Sequence, residues 1–314
     1  MRPVRIATRA SQLALWQANH VAGLLKAAGR ESELVEVVTS GDANQTEPLS
    51  RLSTSADGGS TGLFTKEVQR AVLDGRADVA VHSLKDLPTV PTPGLTLACV
   101  PERADRRDVL VFAAGSQVTA GGFDALPQRA VVGTGSLRRS AQIAHRRPDV
   151  DVRPIRGNVD TRLRKLDAGE FDAIVLAAAG LSRLEMGGRP AVPLAPPLMW
   201  PAVSQAALGI ECREDDADVR GLLGGLSDAA ALREVTAERA ALRALRAGCH
   251  APVGVWCRAG RRVVLEAVVL SPDGRERVVR CAAGTDAEAV GRAVAGSLLD
   301  GGAGAYLETG GDAE

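Results

Sequence analysis

The stretch ADVAVHSLKDLP, residues 77–88, decides the fold of the first part of the chain. Its mostly apolar beginning, Ala77–Val81, predicts a short buried strand. Pro88 restricts the residue before it and ends the strand, so Asp86 is expected on a stiff turn. This turn lies at the carboxyl end of a strand, where the ligand sites of α/β proteins form. The alternative interpretation is a surface ion pair between Lys85 and Asp86.

Strand-like and helix-like segments alternate around this stretch, which predicts mainly parallel sheets covered by helices. In a first series we predict strands over Val4–Ala7, Leu34–Val38, Ala77–Val81 and Leu95–Val100, helices over Ser11–Ala28 and Thr65–Leu73, and a polar loop over Thr39–Thr61. In a second series we predict strands over Val109–Phe112, Val131–Gly133, Val152–Ile155 and Phe171–Ala178, and helices that begin at Ser136 and Asn158.

The remaining segments have other patterns. The charged Pro101–Asp108 has no period and is interpreted as a hinge, while the proline-rich Pro190–Pro201 ends the second series. Ala207–Cys212 is predicted to be a lone strand that returns to the first sheet. The tail predicts a small α+β domain that contains a long helix, three antiparallel strands with a turn at Ser271–Gly274, and a closing helix. These tail elements are Ser227–Ala247, Val253–Cys257, Val263–Leu270, Arg277–Cys281 and Glu288–Leu299, followed by Thr309–Glu314, which we expect to be frayed.

The composition excludes several classes of protein. The 314 residues have a formal net charge of zero, so no global field directs the chain to nucleic acid or to a membrane. No apolar segment is long enough to span a membrane or resembles an export signal. The five cysteines form no metal-like spacing with the four histidines, so we expect no metal site. An odd number of cysteines without an export signal predicts reduced thiols in the cytoplasm, where we expect Cys99, Cys212, Cys257 and Cys281 to be inert packing residues.

A second candidate segment is GTGSLRRS, residues 133–140, where a strand enters a turn and a helix leaves it. Backbone amides at a helix start, together with Arg138 and Arg139, are typical of an anion site. The Walker lysine and the third glycine of a dinucleotide motif are missing, so this is not a nucleotide loop. The alternative is a capped helix with two solvated arginines.

A third segment, RPIRGNVDTR at residues 153–162, repeats the pattern of a glycine turn, a helix start and flanking arginines. Arg9 and Ser11 repeat it again at the first strand–helix turn. Three such turns predict a cleft that binds a ligand with several carboxylates or phosphates.

The fourth segment, RAGCHAPVG at residues 246–254, places Cys249 on a turn between a helix and a strand. A thiol on a loop is a candidate nucleophile, and His250 beside it suggests a Cys–His hydrolase. Adjacent residues in a strand-like segment point to opposite faces, however, which argues against that pairing.

These four segments, in this order and spacing, resemble the porphobilinogen deaminase family, and the resemblance covers nearly the whole chain. It also includes RIATR at 5–9, LALWQA at 13–18, RADVAVHS at 76–83, AAAGL at 177–181, GIE at 209–211 and Glu238-Arg239. The implied fold is α/β, with two periplasmic-binding-protein-like lobes around a cleft plus a small C-terminal α+β domain that carries Cys249. We predict that residues 1–103 together with 202–223 form the first lobe, residues 104–201 the second, and residues 224–314 the C-terminal domain.

The resemblance implies a transferase that joins four porphobilinogen units, releases ammonia each time, and yields the linear tetrapyrrole hydroxymethylbilane for haem biosynthesis. It implies a dipyrromethane cofactor, attached through a thioether to Cys249, that serves as the primer. It also implies that Asp86 is the catalytic carboxylate. Loss of ammonia leaves a cationic azafulvene, and a fixed carboxylate stabilises such a cation.

Each substrate unit carries an acetate and a propionate, which explains the arginine-rich turns. By the resemblance, the cofactor is bound by Ser83, Lys85, Thr134, Ser136, Arg138, Arg139 and Arg183. The incoming substrate is bound by Arg9, Ser11, Arg156 and Arg162.

The chain departs from the family at three places. Members often carry a lysine in a Gly-Gly-Lys-Gly-like loop where this chain has Ser60-Thr61, and an arginine where it has Ser40. Gly-Gln-Gly is common where this chain has Ser204-Gln205-Ala206. If either glycine position needs a positive φ, the added Cβ strains the backbone.

Two other classes of protein explain part of the pattern. A non-catalytic solute-binding or sensor module explains the cleft and the anion turns but gives Cys249 no role. A thiol-dependent hydrolase lacks a convincing base. We therefore expect a cytoplasmic monomer that acts on porphobilinogen and the growing polypyrrole, with no nucleic-acid or membrane partner.

Overall fold

The computed structural model describes residues 2–37, 65–118, 120–248 and 251–307. The chain forms two compact units, the first from Met1–Ala104 and Ala206–Leu232, and the second from Asp105–Gln205 and Arg233–Glu314. The expected return of the chain to the first lobe is visible in this division. The predicted split of the second unit into two domains stays a prediction.

The strands and helices are numbered in chain order. The strands are β1 (Val4–Arg9), β2 (Ser32–Val37), β3 (Val79–Ser83), β4 (Leu95–Cys99), β5 (Asp108–Val111), β6 (Val131–Gly133), β7 (Asp151–Arg153), β8 (Ala173–Ala177), β9 (Ala191–Leu194), β10 (Leu208–Arg213), β11 (Val253–Ala259), β12 (Val263–Leu270) and β13 (Arg277–Gly284). The helices are α1 (Gln12–Ala27), α2 (Lys66–Leu73), α3 (Leu137–Arg146), α4 (Val159–Asp167), α5 (Ala178–Arg183), α6 (Ala217–Gly224), α7 (Ala229–Ala244) and α8 (Ala287–Asp300).

The first unit is built on a five-stranded sheet with the order β2-β1-β3-β10-β4. Strand β1 is parallel to β2 and β3, whereas β10 is antiparallel to both of its neighbours, β3 and β4. This confirms the predicted parallel core of the sheet and the returning strand.

Alternate residues of the strands in the first unit face opposite helices, as the two-residue period of a strand requires. Ile6 packs in one cluster with Val21 of α1, and the next residue, Ala7, packs in another cluster with Val68 of α2. Both faces of the sheet are therefore covered by apolar helix surfaces, which is typical of parallel sheets.

The second unit contains two sheets. The five-stranded sheet has the order β7-β6-β8-β5-β9, with β6 parallel to β7 and β8 and with β5 antiparallel to β8 and β9. The three-stranded sheet β11-β12-β13 is antiparallel throughout, and its second hairpin turns at Ser271–Gly274, as predicted. These sheets and their helices confirm the predicted α/β class with a small α+β portion.

Several predicted boundaries are wrong. Strand β9 lies inside the segment read only as proline-rich, and it tolerates Pro193 because it is an edge strand that pairs with β5 alone. The predicted hinge Pro101–Asp108 ends in a fully buried residue, Asp108, which begins β5. Strand β3 lies two residues later than predicted, so His82 and Ser83 belong to the strand.

Smaller corrections concern the ends of other elements. The third strand of the second series is Asp151–Arg153, not Val152–Ile155, and the fourth ends at Ala177 because Ala178 begins a helix. The long helix covers Ala229–Ala244, and helix α6 was not predicted. The loop Thr39–Thr61 and the tail Thr309–Glu314 lie outside the described residues.

The backbone is left-handed at both positions where the resemblance led us to expect glycine. Ser204 has φ +59° and Ala206 has φ +69°. A residue with a Cβ is disfavoured in this region by roughly 1–2 kcal/mol relative to glycine. The expectation of strain at these two departures is therefore confirmed.

Helix α8 offers a test of packing in the second unit. A Cβ added at Gly291 would lie 2.7 Å from the Cβ of Ala240 in α7, whereas a Cβ at Gly296 would meet nothing within 4 Å. We predict that Gly291→Ala lowers the free energy of unfolding by about 1–3 kcal/mol, because close-packed helices cannot accept the added methyl group. Gly296→Ala is the matched control, and we expect it to be neutral or to stabilise by up to about 1 kcal/mol. Chemical denaturation of both variants measures the difference, and equal stabilities would contradict the close packing of α8 on α7.

Candidate active site

A recess of about 90 Å³ lies in the first unit, at the carboxyl ends of β1 and β3. It brings together four of the residues predicted from the sequence, namely Arg9, Ser11, Ser83 and Asp86. Gln17, His82 and Thr65 also line it, and the sequence analysis did not assign a role to any of these three.

Asp86 lies on a short 3₁₀ turn, Leu84–Asp86, directly after β3. Leu84, the first residue of the turn, and Leu87, the residue after it, are both buried. The Leu84 amide donates a hydrogen bond to the carbonyl of Ala207 (3.0 Å). The Asp86 side chain is exposed and has no ion-pair or hydrogen-bond partner among the described residues. The stiff turn is confirmed, and the alternative of a Lys85–Asp86 ion pair is wrong.

The other predicted residues of the recess are held by local contacts. The Gln17 amide donates a hydrogen bond to the Ser83 hydroxyl (2.7 Å), which fixes that side chain at the end of β3. The Ser11 hydroxyl accepts a hydrogen bond from the Ala14 amide (3.4 Å) and so caps α1, as predicted. Gln17 belongs to the LALWQA stretch, and its polar side chain on the buried face of a helix was the signal that could have identified it.

The second unit contains a buried ionic cluster around Asp108. Arg138 Nη1 donates to Asp108 Oδ2 (2.7 Å), and Arg139 Nη2 donates to Asp108 Oδ1 (2.7 Å). The side-chain amide of Gln205 also donates to Oδ1 (2.9 Å). All four side chains are buried, so the alternative of two solvated arginines is wrong.

This cluster holds one carboxylate and two guanidinium groups, so it has an excess of positive charge. Burial alone would raise the pKa of Asp108, but the charges and hydrogen bonds of Arg138 and Arg139 hold that pKa well below its usual range. Burial lowers the pKa of Arg138; the carboxylate of Asp108 opposes this, and the charge of Arg139 adds to it. The excess charge is desolvated and favours an anionic ligand.

Arg162 and Arg183 are two further cations of the second unit that are partly or fully removed from water. Arg162 is half-buried, and this burial lowers its pKa to about 10, with a further contribution from the charge of Arg139. Burial lowers the pKa of Arg183 to about 10 as well. A ligand with several carboxylates fits such a set of desolvated cations.

The remaining predicted residues of the second unit lie on two turns. Thr134 is buried, and its hydroxyl accepts a hydrogen bond from the Ser136 amide (3.2 Å) just before α3. Arg156 is exposed on the turn before α4, where Asn158 caps the helix.

The second unit contains a cavity of about 360 Å³, which is larger than the recess of the first unit. Its lining includes Gln142, His145, Trp200 and Arg277. None of the predicted site residues lines it. The chemistry of the side chains therefore favours the small recess and the arginine cluster, although the other cavity has more volume.

The cysteines and two departures from the family pattern lie outside the recess and the Asp108 cluster or outside the described residues. Cys249 and His250 lie outside the described residues, as do Ser40, Ser60 and Thr61. Cys99, Cys212 and Cys257 are buried in strands as expected, and burial raises the pKa of Cys99 to about 12 and that of Cys212 to about 11. Cys281 is exposed, so the expectation that it is a packing residue is wrong: it lies on the outward side of β13.

The part of the chain that the structure describes contains no group of three or more His, Cys, Asp or Glu side chains that could hold a metal ion. Within the same part, no helix is both long and apolar enough to cross a membrane.

The fold and the site define an α/β protein with an exposed carboxylate in its first unit and, in its second unit, buried arginines that favour an anionic ligand. The model of the porphobilinogen deaminase dipyrromethane cofactor binding domain matches residues 4–221, and that of the porphobilinogen deaminase C-terminal domain matches residues 232–300. The chain belongs to the porphobilinogen deaminase family. It is therefore a transferase of tetrapyrrole biosynthesis with dipyrromethane as its cofactor, and a non-catalytic binding module is not favoured.

Curated relatives are similar along nearly the whole chain. The porphobilinogen deaminases of Bordetella parapertussis and Bordetella bronchiseptica are each 48% identical over 307 residues, which is 96% of this chain and 94% of theirs. Two solved structures show a distant likeness. A substrate binding domain of a putative amino acid ABC transporter from Streptococcus pneumoniae has a TM-score of 0.44 at 11% identity, covering 77% of this chain and 94% of that domain. An ancestral cationic amino acid solute binding protein has a TM-score of 0.41 at 14% identity, covering 71% and 87%.

The Asp108 cluster predicts a large effect of one isosteric change. Asp108→Asn leaves two buried guanidinium groups without their carboxylate, so we expect the free energy of unfolding at neutral pH to fall by about 3–5 kcal/mol. Because the pKa of Asp108 is depressed in the folded state, its contribution is present above the unfolded value of about 4 and is lost as the pH falls through the folded value. Denaturant titrations at pH 7 measure the first effect, and the same titrations continued below pH 3 measure the second.

Asp105→Asn is the matched control for this prediction. Asp105 pairs with Arg107 at the surface, where both side chains are 41% exposed, and such a pair contributes less than about 1 kcal/mol. Equal losses in the two variants would show that the buried cluster does not stabilise the unit.

Proposed function

We propose that this chain joins four porphobilinogen units, with release of ammonia, into hydroxymethylbilane, and that it extends a dipyrromethane primer attached to Cys249. The family match supports the reaction type, and the exposed carboxylate of Asp86 is the structural observation that supports it most. Asp86 lies on a rigid turn at the edge of a recess and is not engaged by other described side chains.

The role proposed for Asp86 follows from the charge that the reaction develops. Loss of ammonia from the aminomethyl group of porphobilinogen leaves positive charge delocalised over the pyrrole nitrogen, and coupling places positive charge on a pyrrole again. A carboxylate held beside the pyrrole N–H stabilises both cations. Because the turn is anchored by buried leucines, little reorganisation is needed when the charge forms.

The buried arginines are proposed to bind carboxylates. Arg138, Arg139 and Arg183, with Ser83, Lys85, Thr134 and Ser136, would hold the acetate and propionate groups of the cofactor. When bound, dipyrromethane supplies the pyrrole carbon on which the chain is extended. Arg9, Ser11, Arg156 and Arg162 are proposed to bind the incoming substrate. The lowered pKa values of Arg162 and Arg183 support this because an anion would restore the stabilisation that burial removes.

The location and assembly of the protein are also proposals. We propose a cytoplasmic enzyme that acts as a monomer and has no nucleic-acid or membrane partner. The balanced net charge supports the last point, since no strong field attracts a polyanion.

Intact-mass measurement tests the covalent primer. Protein produced in a host with an active tetrapyrrole pathway should carry an added mass of two linked pyrroles, and Cys249→Ser should lack it, because the thioether needs the thiol. Cys281→Ser is the matched control, since it removes a different thiol that is exposed to solvent, and it should keep the adduct. An unmodified wild-type protein that is fully active would overturn the tether.

A second measurement tests Asp86. We expect Asp86→Asn to fold and to carry the adduct, but to lower kcat by at least about 10²-fold, because a neutral amide cannot stabilise the developing cation. Asp215→Asn is the control, since its side chain is 77% exposed in the same unit, and it should keep normal turnover. Turnover at the wild-type rate in Asp86→Asn would contradict the proposed role.

A further inference from the structure

Two residues of the sequence motifs have no role in the function proposed above, and the fold brings them together. His82 is part of the stretch that precedes Asp86, and Glu211 is part of the GIE segment at residues 209–211. His82 Nε2 lies 3.0 Å from Glu211 Oε2, and the two side chains are only 3% and 5% exposed. The pair is therefore a buried acid–base contact between distant parts of the chain.

The topology of the first sheet explains why these residues meet. In the antiparallel pairing of β3 with β10, His82 lies opposite Gly209 and Glu211 lies opposite Ala80, so His82 and Glu211 are diagonal neighbours on one face. Helix α2 covers this face with Val68 and Val72. It also contributes Gln69, whose side-chain amide donates to the same Glu211 oxygen (2.9 Å).

The pair is an unexpected feature of an apolar layer. Buried ionisable groups are costly unless they are paired, and well-packed apolar side chains would stabilise the same position at least as well. Stability alone therefore does not explain why a histidine and a glutamate lie beneath α2 and a glutamine of α2 faces them. Their location gives the better explanation, because His82 lines the recess that also contains Asp86 and Arg9.

The proposed reaction needs a proton carrier at this recess. When the methylene carbon of one unit bonds to the free α-carbon of the next pyrrole, that carbon must lose its proton before the ring is aromatic again. The ammonia that leaves takes up one proton in return. Asp86 serves best if it stays ionised, because its task is to stabilise positive charge. A second group that accepts the proton and returns it would leave Asp86 charged throughout.

We propose that His82 accepts and returns this proton, and that Glu211 is the positioning residue that orients the His82 imidazole and stabilises its protonated form. A base that is oriented by a carboxylate behind it is a recurrent arrangement in proton-transfer catalysis. Glu211 is itself held by Gln69, so a fixed carboxylate lies 3.0 Å from Nε2, within ion-pair distance of a protonated imidazole, although Nε2 forms no hydrogen bond among the described residues. This inference rests on the proposed function, since it assigns a step of that reaction.

Isosteric variants test the pair without opening a cavity. Glu211→Gln keeps the size of the side chain and can still accept the Gln69 hydrogen bond, but it removes the charge. We expect kcat to fall at least about tenfold, with KM changed less than about twofold, because the lost interaction acts on the chemical step. His82→Asn should lower kcat by roughly 10²-fold, the usual contribution of a general acid–base group. Cys212→Ser is the matched control, because Cys212 is the next residue of the same strand, equally buried, and belongs to the opposite core cluster.

A spectroscopic measurement separates positioning from mere folding. The chain has only four histidines, so the imidazole nitrogens of His82 can be assigned in ¹⁵N-histidine-labelled holoenzyme by comparison with His82→Asn. Glu211→Gln should move the His82 nitrogen resonances, while Cys212→Ser should leave them in place. Wild-type protein should also show a solvent deuterium isotope effect on kcat that changes in Glu211→Gln.

The outcomes distinguish a failure of the proposed function from a failure of the role proposed for His82. If wild-type holoenzyme produces no hydroxymethylbilane, the proposed function fails. If the wild type is active and both His82→Asn and Glu211→Gln retain its kcat, the proposed function stands and the proton-carrier role of His82 is overturned. Equal loss of kcat and of thermal stability in Cys212→Ser and Glu211→Gln, with unmoved His82 resonances, would also overturn it, since the pair would then be structural.

Discussion

The buried carboxylate of Asp108 is the constraint on which the described arrangement of the second unit depends. A lone carboxylate without exposure is strongly unfavourable, and here three side-chain donors from two distant segments converge on it. Arg138 and Arg139 hold the start of α3 against β5. Gln205 holds the segment just before β10 against Asp108, the first residue of β5. The contact that stabilises the fold thus also fixes the two arginines that are proposed to bind carboxylates.

Gln205 links this cluster to the two most unusual backbone positions of the chain. It lies between Ser204 and Ala206, both left-handed, and its side-chain amide donates to Asp108 and to the carbonyl of Arg106. The Ser204 amide donates to the carboxylate of Glu238 (2.7 Å). These contacts offset the unfavourable φ values, which explains how the segment keeps its conformation without glycine at these two positions.

Charge is distributed differently in the two units. In the second unit, the positive charge of the arginines exceeds the carboxylate charge beside them, so the environment favours an anion. In the first unit, the carboxylate of Glu211 is buried against His82 and Gln69, while that of Asp86 remains exposed at the recess. An exposed carboxylate and a buried acid–base pair in one recess have environments suited to different tasks, one to hold charge and one to move a proton.

The sequence by itself determined the features that depend on local pattern. Periodicity identified most strands and helices, the proline after Asp86 identified the turn, and Ser11 and Asn158 were recognisable as helix starts, because each of these signals lies within a few residues of its effect. Strand β9 was missed because only its place at the edge of a sheet makes Pro193 acceptable there. Tertiary structure alone decided which charges meet. Asp108 looked like one charge in a polar hinge, and no local signal identified the partner of His82, since both contacts join distant parts of the chain: Arg138 lies 30 residues from Asp108, and Glu211 lies on the strand that returns to the first sheet. Whether a charge is solvated or buried against a partner depends on strand order and register, and no local pattern contains that information.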